Sequence, residues 1–492
     1  MSHIQTGAFF YARLLTIRLV NKLSPRCARN AARVLAAGAV LLLCPLAAAD
    51  GGWALSLRGY LEQVSGRQQA LTAARQTAKA ARLLRQEKET EITPVLFSEA
   101  SATLDNTPQL EPEYQGDSTK NAALTVGASL KTRHGVSGKL YYSVGRESIS
   151  GTAFGDMDKW RAGQNLEISA SLWRDRGGRE TDSNLRAFTL GRDADAETAA
   201  FESDSIETRA EEAYWNLSAV KESLVVLSNN LKRARKLADW SRTRAEAGLA
   251  DETEYLQAEA AAKLREQELL DATSLLLAAA REFNSFLGEN SAETPALENA
   301  DGPVSKPSAG VRADVRAAAL RARAAGLAAA SSAEQTKPTL SLFSMLSFSG
   351  LGNYAGSAAS NAFSTTGPAA TLGLRLGVPL AARLLENNRR GYALQAEAEN
   401  LKYRQTLLDS EADRDALAQE FDLLLRRLTL AREIEKAQWE KYQAEERRRA
   451  KGKSTVYFTI TFQDDYARAQ ISRIETALKL RILTARLKLY KE

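Results

Sequence analysis

The chain has 492 residues, with 66 Lys and Arg against 60 Asp and Glu, two cysteines and two histidines. Six of the cations (Arg13, Arg18, Lys22, Arg26, Arg29, Arg33) and no acid lie in the first 49 residues, leaving 60 basic against 60 acidic residues in the remainder. The basic isoelectric point therefore belongs to the N-terminus and excludes a nucleic-acid face. Cys27 and Cys44 also fall there and His134 is the one later histidine, which removes disulfides and most His- or Cys-based metal and nucleophile schemes, so no cofactor and no catalysis are expected.

Residues 1–49 read as a signal peptide: an Arg-rich start, an apolar run over 34–46, and Ala47, Ala48 and Ala49 at the cleavage position. The apolar run is too short for a bilayer that needs about 20 residues. Leu42 and Leu43 before Cys44 argue against a lipoprotein site.

Residues 53–91 have helical composition, ended at Pro94 because the residue before proline leaves the α region. The period then changes to two. Ala122, Leu124, Val126, Ala128 and Leu130 alternate with polar residues, and Leu140, Tyr142 and Val144, then Leu166, Ile168, Ala170 and Leu172, continue the pattern. Residues 95–104 repeat it more weakly. Strands of about ten residues with one apolar face and one face of Gly, Ser, Thr and Arg suit a transmembrane barrel, apolar side to lipid. An ordinary soluble sheet is the alternative. Long polar links over 105–120, 148–161 and 350–367, against a short one at Arg133, His134 and Gly135, match a barrel with loops on one side and turns on the other. Tyr141, Tyr142, Trp160 and Trp173 are candidates for an interfacial aromatic girdle.

From 180 to 246 no proline occurs and Gly191 is the one glycine. As helix this stretch is roughly 100 Å long. Its apolar stripe (Leu217, Val220, Leu224, Leu227, Leu231) is narrow and flanked by charge, which calls for partner helices. Gly248 should reverse the chain with a positive φ, and Asp251, Glu252, Thr253 and Glu254 offer a helix N-cap. Residues 290–310, with Pro295, Pro303 and Pro307, form a linker.

The order then repeats. Pro338 precedes strands at Leu340, Leu342, Leu346, Phe348 and at Leu372, Leu374, Leu376, Val378, Leu380. A second proline-free stretch over 383–449 carries Leu417, Phe421, Leu424 and Leu428, then Gly452 and Ser454-Thr455. The first copy is longer between its marker proline and last strand, and the excess coincides with a hairpin around Gly135. Four strands are expected in the first half (50–289) and two in the second (311–492). The fold class is mainly α with transmembrane β.

This layout resembles the TolC family of outer-membrane channel proteins. The segment Arg312 to Arg323 followed by Lys337-Pro338-Thr339-Leu340 looks like that family's helix-to-strand entry, Gly377-Val378-Pro379-Leu380 like its exit, and Gly248 and Gly452 fall at its periplasmic tip turns. The resemblance implies a homotrimer with one shared barrel in outer-membrane lipid and a long periplasmic helical tunnel, the passive exit duct of a tripartite efflux pump or type I secretion system. Its partners would be a periplasmic adaptor and an inner-membrane pump, and its place the outer membrane of a Gram-negative bacterium.

Family members often place acids six and nine positions after the second turn glycine. Here those positions are Phe458 and Thr461, which points to an apolar gate closed by packing and dewetting. The first turn keeps Glu254. Arg447, Arg448, Arg449, Lys451 and Lys453 crowd the second tip and are expected to meet Glu252 or Glu254 on an adjoining hairpin, or an adaptor. Asp464 and Asp465, and Glu111 and Glu113, are read as solvated charges rather than a catalytic or calcium site. The rival readings are a coiled-coil structural or adhesive envelope protein, which needs no lipid-facing strands, and a secreted enzyme.

Overall fold

The computed structural model describes residues 54–307, 310–364 and 368–490. The expected signal peptide lies outside them. Helices α1 (Leu57–Arg67) and α2 (Gln69–Leu83) and a 3-10 segment (Leu84–Ile92) come first. They break the expected single helix over 53–91, because Gln68 is extended (ψ 114°) while its N–H still reaches Val64 O. Thr93, before Pro94, is extended at φ −87°, ψ 152°.

Strand β1 (Val95–Asp105), a one-turn helix α3 (Pro112–Gln115), β2 (Ser118–Lys131), β3 (Val136–Ser150) and β4 (Met157–Ser171) lead into α4 (Arg179–Glu246) and α5 (Glu252–Phe286). The second half holds α6 (Ala313–Gln335), β5 (Thr339–Gly352), α7 (Ala355–Ala362), β6 (Pro368–Gly377), α8 (Ala382–Ala450) and α9 (Val456–Leu487). At 68 and 69 residues, α4 and α8 each span roughly 100 Å.

All six strands form one antiparallel sheet in chain order, with β4 pairing β5 across the two halves. The ladders run further than the alternation suggested. Strands β3 and β4 reach Ser150 and Met157, so the long link expected over 148–161 shrinks to residues 151–156. Cross-strand pairs of Arg146 with Asp158 and Arg161 with Glu147 support the extension. The link over 350–367 is partly β5 and partly α7. The added hairpin is tied down at its turn. Gly135 (φ 75°) and Gly178 sit where a Cβ would collide with backbone of the facing turn, and Arg133 pairs with Glu89 at 2.5 Å.

The main core lies where α1, α4, α5 and α9 meet. Tyr60 and Phe283 stack at 4.2 Å, Tyr214 packs beside them, and Leu217, Leu480 and Phe421 complete the cluster. The segment after α5 is strapped to this core by Ser218 Oγ donating to Glu298 O (2.6 Å) and by an isolated bridge from Leu55 to Leu297.

Candidate functional site

Two surfaces carry the chemistry: the wall made by the sheet and the tips of the two helical hairpins. Register decides the wall, because alternate residues take opposite faces. Paired positions such as Ala100 with Leu124, Leu124 with Val144, Leu140 with Leu166, Leu166 with Leu346 and Leu342 with Leu374 put one continuous apolar face across all six strands. On β3 this face runs from Val136 to Val144 and stops at Arg146, which pairs with Asp158 through Nε at 2.8 Å. That band is about 27 Å along the strand and, at a tilt of about 40°, roughly 20 Å tall, close to the apolar band of a membrane barrel.

The opposite face is polar and concave. Residues from every strand, among them Val95, Lys131, Lys139, Glu167, Phe343 and Arg375, line one cavity of about 530 Å³. The long helices and the segment before β1 join the sheet at one end, and the links over 106–117, 151–156 and 353–364, with the short helices α3 and α7, lie at the other. Among the girdle candidates, Tyr142 and Trp160 stand on the apolar face near Arg146. Tyr141 is corrected: it stands on the polar face and donates to Glu167 (3.0 Å). Trp173 follows β4 at the inner end, where Arg174 grips Glu180 with two bonds of 2.7 and 2.9 Å. Helix α7 covers the outer end of the apolar face, Ala358 and Ala362 against Ala162. Gly350 admits it, since a Cβ there would lie 2.2 Å from Ala362 N. Nothing in the polar composition of the link announced this helix.

At the tips, Gly248 and Gly452 have φ of 71° and 67°, left-handed values that glycine adopts without a Cβ penalty. Asp251 and Thr455 stand at the N-cap positions of α5 and α9, but their side chains make no capping bond, contrary to expectation. The neighbouring Ser454 hydroxyl instead engages the buried Glu445. Phe458 is 49 % exposed and meets Tyr457 edge-on and Phe462 at a tilt, and the Thr461 hydroxyl donates to Tyr457 O (3.0 Å).

The basic cluster does not meet Glu252 or Glu254 within the chain. Arg448 and Arg449 turn back on Glu445 and Glu446 of their own helix. Arg449 also lies 4.8 Å from the Trp240 ring, as Arg244 does, which ties α8 to α4. Among the described residues the side chains of Arg447, Lys451, Lys453, Glu252 and Glu254 enter no ion pair.

Two ion-pair centres were not legible in the sequence. Arg473 on α9 reaches Glu222 on α4 (2.6 Å), Glu435 on α8 (2.6 Å) and Asp301 (2.9 Å). Arg265 on α5 pairs with Asp464 on α9 at 2.6 Å. Burial pushes the Asp464 carboxyl up, and the guanidinium recovers only part of that cost. Asp464 is therefore a paired group in a helix interface rather than a solvated one, whereas Asp465 goes to Lys441 (2.9 Å). Each partner stands on another helix, so no local spacing marks the pair. Among the described residues no group of three or more His, Cys, Asp and Glu is placed to hold a metal.

This architecture is shared with solved outer-membrane channels. The chain resembles VceC from Vibrio cholerae over 88% of its own length and 94% of that chain (17% identity, TM-score 0.61). The open-state MtrE channel of Neisseria gonorrhoeae matches over 88% of each chain (15% identity, TM-score 0.62), and the channel OprN over 89% and 90% (17% identity, TM-score 0.60). No curated protein matches the sequence. Residues 141–289 match the outer membrane efflux protein family, and that match and the fold together support the TolC family of outer-membrane channel proteins. The family and the channels sharing the fold are conduits rather than enzymes.

Proposed function

We propose that this protein is the outer-membrane exit duct of a tripartite efflux pump or type I secretion system. It works as a homotrimer in outer-membrane lipid, coupled through a periplasmic adaptor to an inner-membrane pump. The carrying observation is the six-stranded sheet with one apolar and one concave polar face, whose edges β1 and β6 find no partner in the same sheet. An open edge in lipid leaves backbone groups unsatisfied at several kcal/mol each. Pairing β6 of one copy with β1 of the next removes every edge and closes about eighteen strands around an aqueous bore. No helix among the described residues is long and apolar enough to cross a membrane, so on this reading the strands alone do so. A coiled-coil adhesin has no use for the apolar band.

Transport through such a duct is passive, and the gate lies at the helical tips, where Phe458 with Tyr457 and Phe462 supports closure by packing and dewetting. The basic residues from Arg447 to Lys453, with Glu252 and Glu254, are the tip contacts for an adaptor or a neighbouring hairpin. Residues after 49 contain no cysteine, which makes cysteine-pair cross-linking clean. Pairs scanned along β1 and β6 should yield a covalent trimer ladder from outer-membrane extracts. Cross-links within single chains only, or a detergent-independent soluble monomer, would overturn the reading. Phe458→Ala should raise the resting conductance in planar bilayers, and an unchanged conductance removes Phe458 from the gate.

A further inference from the structure

The inner end of the concave wall holds more cations than acids, and none of these cations is in an ion-pair contact among the described residues. Lys139 on β3 has its Nζ 4.7 Å from the Phe97 ring and 4.8 Å from the Tyr141 ring. The Arg375 guanidinium on β6 lies 5.2 Å over the Phe343 ring. Lys131, at the end of β2, faces the same cavity. Among the described residues none of the three reaches a carboxylate within ion-pair distance. Of the cavity's two acids, Glu167 stands opposite Lys139 in the β3–β4 register and accepts the Tyr141 hydroxyl at 3.0 Å, and Glu91 pairs with Lys88 at 3.0 Å, which leaves three cations against one acid free of a cation's grip. At the outer end of the same face the cations have partners, Arg161 with Glu147 and Lys159 with Asn353.

The rings are as deliberate as the charges. Phe343 lies flat across Gly373, whose Cβ, were there one, would stand 2.5 Å from the ring tip. Flattened against the wall, the ring shows a broad π face to the cavity, where cations and planar ligands are attracted. An excess of cations beside aromatic faces in a concave site is the complement of an amphiphilic aromatic anion.

We propose that this wall is a transit site for aromatic anions, the acidic group held by Lys131, Lys139 and Arg375 and the ring lying against the aromatic lining. The inference rests on the polar face being the pore wall. Saturation-transfer NMR with 2-naphthalenesulfonate on the trimer in nanodiscs reads binding whatever the state of the tip gate. The native protein should transfer magnetisation to the naphthalene ring. The variant K131Q/K139Q/R375Q, changed only at exposed or half-exposed wall positions, should bind about tenfold more weakly or not at all. Gly373→Ala, which lifts Phe343 from the wall, should weaken binding of the naphthalene probe while leaving the effect of benzene-free ethanesulfonate unchanged. Retained trimer in both variants is the folding control. Equal binding by native and triple-variant protein, or equal binding of 1-naphthylmethylamine, a cation, would overturn the site. A protein that binds the probe but conducts nothing in planar bilayers would break the pore reading alone and support the site.

Discussion

Helices α4 and α8 are nearly equal in length and similar in composition, yet they live in different surroundings. Along α4, buried residues run from Thr181 to Ser241; along α8 only Ser410, Phe421, Leu424, Leu428, Tyr442 and Glu445 are buried. The reason is neighbours. Helix α4 is packed along its length by α2, α5, α6 and α9, whereas α8 runs along α6 and α9 and meets α4 near its end, through Arg449 and Trp240. What α8 leaves open is apolar: Leu394, Leu401 and Leu408, seven residues apart, are 58 to 66 % exposed. A heptad-spaced leucine stripe in water is an interface without its partner. Within one chain the core gathers on α4, and the leucine stripe of α8 is left for a second copy to cover on the trimeric reading.

The largest expected effect tests that asymmetry directly. Leu394→Gln, Leu401→Gln and Leu408→Gln together should abolish the trimer on native electrophoresis while the far-UV circular dichroism of the chain stays unchanged, since each buried leucine contributes about 1.5–3 kcal/mol to an interface and nothing to this monomer. A persistent trimer would erase the distinction between the two helices. Leu217→Ala, in the filled core of α4, should behave oppositely and lower the stability of the chain itself by about 2–5 kcal/mol in denaturant titration.

Arg473→Ala is expected to cost about 2–3 kcal/mol, less than a fully buried pair, because Glu222, Asp301 and Glu435 each remain partly exposed. The loss should appear as early separation of α9 from α4 in hydrogen exchange. The smallest effect concerns Asp464. Its carboxyl titrates higher in the folded chain than when unfolded, so its favourable contribution is complete below the unfolded value and is lost as pH rises through the folded one. Asp464→Asn should flatten the stability profile from the ordinary carboxylate range upward. A native-like slope in the variant would place the titration elsewhere.

Much of this was legible. The glycines at 248 and 452 marked the chain reversals because positive φ is a property of the residue itself. The alternation from Ala122 to Leu130 and from Leu372 to Leu380 marked strands because the residues on one face of a strand recur at every second position. The break at Gln68, the docking of α7 on Gly350 and the turning-back of Arg448 and Arg449 were not legible, since each depends on a surface brought from elsewhere in the chain. Tyr141 and Tyr142 make the point most plainly. They are neighbours of one type, and register alone sends one to the apolar face and the other to the concave cavity.

The elements, their order and the unequal repeat could be read along the chain, because helix length, strand period and turn chemistry are local properties. That β4 joins β5 into one curled sheet, that Arg473 and Asp464 hold the two hairpins together, and that the inner wall gathers Lys131, Lys139 and Arg375 came from the fold. Each of these depends on residues far apart in the chain meeting at ångström distances, and no spacing along a sequence encodes that.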